Sequence, residues 1–179
     1  MVVARYDPTK KNIDKKQSFF KFDFMKKMRV YFETSSVSNL EQPNMPEAMA
    51  DMRALWEKLK QGEYEAVLSD TVFSELYDIK DENKLAILLN FLEQIEFDRI
   101  LLSDEVDTLT EIIIEHGILP REKYRDCQHL ACAMVSGCDC IVSYNFKDIN
   151  RIKTITGIQR LAILHGYGLI NIVDAAKLL

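Results

Sequence analysis

The stretch Asp126–Ile149, DCQHLACAMVSGCDCIVSYNFKDI, decides how this chain folds. Its first half carries small and apolar residues from Cys127 to Val135 with polar ones between them, and stops at Gly137, the pattern of a buried helix with a glycine end. Its second half, Cys138–Ser143, sets Cys138 and Cys140 on either side of Asp139 and continues through Ile141 and Val142, as a strand does. A helix delivered straight into a strand is half of a repeating α/β unit, and the rest of the chain supplies the other units.

Working outward, Met28–Glu33 predicts a strand through Val30, Tyr31 and Phe32. Pro43 and Pro46 punctuate a loop before an amphipathic helix over Glu47–Gln61, with Met52, Leu55, Trp56 and Leu59 at helical spacing and Gly62 as its cap. Ala66–Ser69 predicts a strand, and Ser69 or Asp70 can cap the helix that carries Glu75. A further helix over Lys84–Ile95 leads to a strand at Arg99–Leu102. Asp104 can cap a helix running to about Glu115, stopped by Gly117, and Pro120 with REKYRD leads into the helix described above. A mixed segment extends to His165, and a strand at Leu169–Val173 closes the chain. Five strands separated by helices of this length imply an α/β fold with a mostly parallel sheet covered on both faces.

Composition narrows the class. With 179 residues, 47% of them apolar, the chain can bury one full-sized core. No apolar run approaches the roughly 20 residues of a membrane span, and the apolar stretch Phe19–Met25 is interrupted by Lys21 and Asp23, unlike a signal peptide. Cysteines at 127, 132, 138 and 140 lie too close together for a disulfide framework, and their C-x4-C-x5-C-x-C spacing matches no usual zinc module. The expectation is a reducing, cytoplasmic setting with no membrane partner. Charge is uneven: residues 1–29 hold nine Lys or Arg against three Asp, and the formal total is −5, so the remainder is strongly acidic. Residues 1–27 therefore read as a basic N-terminal extension and 28–179 as one domain. An acidic body argues against a broad, non-specific nucleic-acid surface.

Three carboxylates stand where strands end or helices begin. Glu33 closes MRVYFE, Glu75 lies in SDTVFSEL, and Asp126 opens DCQHLACAM. In open α/β sheets, ligands bind beyond the carboxyl ends of the strands. Acids that converge there from distant positions suit a hard divalent cation such as Mg²⁺ or Mn²⁺. Glu33 in an apolar strand needs a partner for its charge, which strengthens that reading. The run VYFETSSVSNL contains no glycine, which excludes a phosphate loop of the dinucleotide-binding kind after the first strand.

VYFETSS, TVFSEL and DCQHLACAM, followed by SYNFKD, together resemble the PIN-domain ribonucleases, which include toxin components of bacterial toxin–antitoxin pairs. The resemblance covers about residues 28–175. It implies a three-layer α/β/α sandwich and acids that hold Mg²⁺ or Mn²⁺ to cut RNA. Carried over residue by residue, it assigns the site to Glu33, Glu75, Asp126 and Asn145, with Ser35 and Ser143 as the accompanying hydroxyls. Asp148, three residues after Asn145, is a further candidate metal ligand. An RNA substrate, a small antitoxin protein and a homodimer are the partners it implies, the antitoxin placing a basic side chain among the acids.

Two positions depart from the pattern. The first acid is usually Asp, and Glu33 is one methylene longer; the fourth is usually acidic, and Asn145 is neutral. The longer Glu33 is a handicap for octahedral Mg²⁺ geometry, so that the backbone must recede or the metal shift, while the charge lost at Asn145 points toward one metal rather than two; both also fit a catalytically degenerate module that binds RNA or protein. His129, three residues after Asp126, reads as a packed residue hydrogen-bonded beneath the site. Arg121, Lys123, Arg125, Lys147, Arg151 and Lys153 are candidate contacts to phosphates. Trp56, Tyr64 and Tyr77 read as packing residues, and Tyr144 as the aromatic able to stack on a base.

Overall fold

In the computed structural model, residues 26–179 are described, so most of the basic extension expected over residues 1–27 lies outside the described residues. Five strands form one sheet: β1 (Arg29–Phe32), β2 (Glu65–Ser69), β3 (Phe97–Ile100), β4 (Cys140–Val142) and β5 (Asn171–Val173). Every pairing is parallel and the order is β3-β2-β1-β4-β5. Among the described residues, seven α-helices accompany it: α1 (Thr34–Ser38), α2 (Pro46–Lys60), α3 (Asp70–Tyr77), α4 (Glu82–Leu92), α5 (Asp104–Glu115), α6 (Tyr124–Val135) and α7 (Ile152–His165). The expected three-layer α/β/α sandwich with a five-stranded parallel sheet is what forms, and the sheet is parallel throughout. No described helix is long and apolar enough to cross a membrane.

The alternation of β1 builds both layers. Phe32 faces one side and packs edge-on against Trp56 of α2, whose indole N–H donates to the Phe91 carbonyl of α4 at 2.9 Å. Tyr31 faces the other side, toward His129 of α6. Val30, Tyr31 and Phe32 are all fully buried, as befits the central strand of a sheet covered on both faces. Helix α6 is buried almost throughout and packs on α5, and its four neighbouring cysteines, all reduced, are buried. Burial pushes the Cys127 and Cys140 thiols up to about 12, leaving them inert packing groups.

Several boundaries differ from expectation for local reasons. Strand β3 runs two residues earlier than Arg99–Leu102, because Phe97 packs on Phe73 while the Arg99 guanidinium lies 4.5 Å from the Phe73 ring centroid and pairs with Asp70. Leu101 and Leu102 are left exposed. Strand β4 begins two residues late, since Cys138 N–H donates back to the Ala133 carbonyl to finish α6 after Gly137, at φ +63°. The cap of α5 is Ser103 rather than Asp104. The segment read as mixed contains the 14-residue helix α7. Tyr77, expected to pack, is 64% exposed.

Candidate active site

The chain winds from β1 through β2 to β3, then returns to place β4 on the other side of β1. The crevice at such a reversal, beyond the carboxyl ends of the strands, is the usual ligand position in an open α/β sheet. Glu33 follows β1 directly, Ser143 and Asn145 follow β4, and Asp126 sits in the first turn of α6, which leads into β4. The topology thus carries Glu33, Asp126 and Asn145 to the switch point.

Glu33 is 3% exposed and is the N-cap of α1. Its carboxylate accepts the Ser35 N–H at 2.7 Å and the Ser35 hydroxyl, which answers the requirement that a buried acid have partners. Ser35 Oγ also accepts the Tyr144 N–H at 2.9 Å, tying the end of β1 to the end of β4. Ser143, fully buried, uses its hydroxyl to receive the Asn145 N–H at 3.0 Å.

Asp126 is half-buried and accepts from Asn145 Nδ2 at 3.1 Å, while Asn145 Oδ1 accepts the Asp148 N–H at 3.1 Å. Those two bonds fix the amide with its NH₂ toward the carboxylate. Burial raises the Asp126 carboxyl above its usual range; His129 and Lys123 draw it back, and the negative charges of Asp148 and Glu33 push it further up. Asp148 is itself paired with Lys123 at 2.8 Å.

Glu75, on α3, has other company. Its carboxylate accepts from the Thr34 hydroxyl and from His129 Nε2 at 2.9 Å, with Arg125 3.9 Å away. His129 is 1% exposed, and its Nδ1 meets the Tyr31 hydroxyl at 2.8 Å, which in turn meets Ser69 Oγ at 2.6 Å. Glu75, His129, Tyr31 and Ser69 thus form one continuous chain of hydrogen bonds reaching from α3 through α6 to the sheet. Burial pushes the Glu75 carboxyl upward, but His129, Thr34 and Arg125 outweigh it and hold it below its usual range.

Among the described residues, no three of His, Cys, Asp and Glu gather closely enough to hold a metal ion between them. Glu75 is turned to His129, and Asp148 to Lys123, so the five residues expected as ligands do not form one cradle. What remains together is Asp126, Glu33 and the Asn145 amide. Asp126, half-buried, accepts from that amide, Glu33 lies near enough to raise its pKa, and both offer only oxygen, the donor type that a hard cation takes. The bonds Glu33 accepts from Ser35 do not disqualify it, since ligating carboxylates are themselves commonly hydrogen-bonded.

The cations divide similarly. Arg121 pairs with Glu111, Lys123 with Asp148 and Arg125 with Asp78. Lys147, Arg151 and Lys153 are exposed, and among the described residues no acid stands in ion-pair range of them. A cavity of about 690 Å³ lies at the opposite end of the sheet beside Lys27, Glu65 and Asp98, so size alone does not mark this site. The sequence reading did not single out Thr34 as Glu75's partner, nor Tyr31 and Ser69 as supports of His129; the contact between Tyr31 and His129 spans 98 positions and leaves no local pattern. No family model and no curated protein matches this chain.

Proposed function

We propose that this protein is a ribonuclease that cuts phosphodiester bonds with one Mg²⁺ or Mn²⁺ ion, a PIN-like enzyme of the kind its motifs resemble. The observation that supports it is the meeting of Asp126, Glu33 and Asn145 at the switch point of the sheet, with Asp126 under the negative charge of Glu33 and Asp148. A cation bound there would lower the pKa of a water and polarise a phosphate oxygen. Glu33, pinned by both groups of Ser35, presents its carboxylate in one orientation. Asn145, held from behind by the Asp148 N–H, orients Asp126. Glu75 stays ionised through its own partners and contributes fixed charge rather than proton transfer. Lys147, Arg151 and Lys153, just beyond Asn145, offer positive charge to flanking phosphates. An antitoxin-type inhibitor would set a basic side chain against Asp126, and a second copy of the chain is a further partner of the same reading.

A second reading has its own support. Because Asn145 turns its NH₂ to Asp126, that carboxylate has a partner without any cation, as in a degenerate module that binds RNA or protein. The two separate on cleavage of a mixed RNA pool with Mg²⁺ or Mn²⁺, beside a chelated control and Asp126→Asn. The nuclease reading expects metal-dependent cutting that falls at least about 100-fold in the variant. Folded protein that cuts nothing with either metal, yet binds RNA equally with and without chelator, favours the module.

A further inference from the structure

Beside the acids lies a groove of about 490 Å³, walled by Thr34, Asn39, Gln42, Met45, Lys84 and Tyr144, and closed at one side by Glu75. Its volume falls within the roughly 300–1,000 Å³ of small-molecule sites. We infer that this groove is a subsite for one nucleotide of single-stranded RNA, adjoining the acids; the inference rests on the nucleic-acid reading above and deepens it.

Three features meet there. The first is an unmet polar demand: Asn39 is 5% exposed and its Nδ2 donates to the Ser35 carbonyl at 2.9 Å, while its Oδ1 has no partner. That oxygen is shut off from solvent, and a base N–H pressed against the groove wall is a group able to meet it once the wall gives way. Gln42 complements this, because Lys84 Nζ takes its Oε1 at 2.9 Å and leaves its NH₂ to donate. Amide side chains with one donor and one acceptor on offer are the usual readers of unstacked base edges.

The second is a flat face. Tyr144 is half-buried, braced edge-on by Phe146 at 6.0 Å, with Met45 (42% exposed) also lining the groove. Aromatic rings in this setting bind bases whatever their identity. The third is Lys84, half-buried, with no acid in ion-pair range among the described residues, which supplies a point charge for a phosphate. Thr34 joins the groove to the site, since its hydroxyl donates to Glu75 and it follows Glu33 directly. A base seated on Tyr144 therefore has its neighbouring phosphate toward the acids.

The test is fluorescence anisotropy of labelled tetraribonucleotides of A, C, G or U, in chelator, with variants compared at one salt concentration and the wild type and Lys84→Ala followed over a salt series. Tyr144→Leu, which keeps an apolar side chain but removes the ring, and Gln42→Ala should each weaken binding roughly tenfold. Lys84→Ala should weaken it about threefold and reduce the salt dependence by about one ion. Lys60→Ala, at the far end of the sheet, should change nothing. Differences among the four tetranucleotides should shrink in Gln42→Ala. Binding that survives all three groove variants, or no binding by the wild type, overturns the subsite. If the three losses are seen but no metal supports cleavage, the nuclease reading fails alone; if RNA is cut with KM unchanged in all three variants, the groove fails alone.

Discussion

Glu75 and Asp126 sit on neighbouring helices, α3 and α6, at the same end of the sheet, and both are partly withdrawn from water. Glu75 is met by a hydroxyl, an imidazole and a distant guanidinium, and its carboxyl is held down; Asp126 accepts from one amide, and burial, helped by Asp148 and Glu33, outweighs His129 and Lys123 so that its carboxyl is pushed up. The fold has thus completed one carboxylate and left the other incomplete. A completed acid belongs to the architecture of the crevice, while an incomplete one holds free energy that a positively charged ligand can release.

The sharpest way to break this contrast is to neutralise each acid in turn and follow unfolding against pH. Glu75, with its folded pKa lowered, contributes stability that is present above its unfolded pKa and is lost as pH falls through the folded value. Glu75→Gln should therefore cost about 1–3 kcal/mol near neutrality, and the deficit should close in acid. Asp126 has the opposite sign: its raised carboxyl favours the fold below the unfolded pKa, and that contribution disappears as pH rises through the folded pKa. Asp126→Asn should match or exceed the wild type in melting temperature at neutral pH, with its advantage growing through the raised pKa. If both variants shift alike, the contrast is wrong.

Asn145→Asp sharpens the same comparison from the other side. It removes the amide NH₂ from Asp126 and sets a third negative charge near Glu33. Calorimetric Mn²⁺ binding should tighten about tenfold, about 1.4 kcal/mol, while the metal-free protein melts lower. Unchanged Mn²⁺ affinity would mean that Asp126 is not the cation's anchor. Smaller still is Tyr31→Phe, which deletes the hydroxyl between Ser69 and His129 at the centre of the sheet. Denaturant unfolding should show a loss of about 1 kcal/mol, and coupling to Glu75→Gln in a double-mutant cycle would show that the chain of bonds acts as one unit.

Much of this was legible in the sequence. Period-two and helical spacing located the five strands and most of the helices, and a strand end and a helix start singled out Glu33 and Asp126, because those signals are local. Helix α7 was hidden because β-branched Thr154, Ile155 and Thr156, followed by Gly157, dilute a helical pattern that tertiary packing restores against Ile118. Glu75's orientation was not legible either. It depends on Thr34, 41 positions away, and on His129, 54 positions away, and no spacing rule encodes such a meeting. The extra methylene of Glu33, which looked like a handicap for metal geometry, is used to fold the carboxylate back on Ser35.

That last arrangement has a consequence for how the chain can change over time. Glu33 begins α1 by receiving the Ser35 N–H, so any replacement there tests whether the first helix still starts where it should. Selection for folding alone would preserve this acid whether or not the chain cuts anything. A carboxylate that starts no helix, Asp126 first, is where the history of any chemistry would be written.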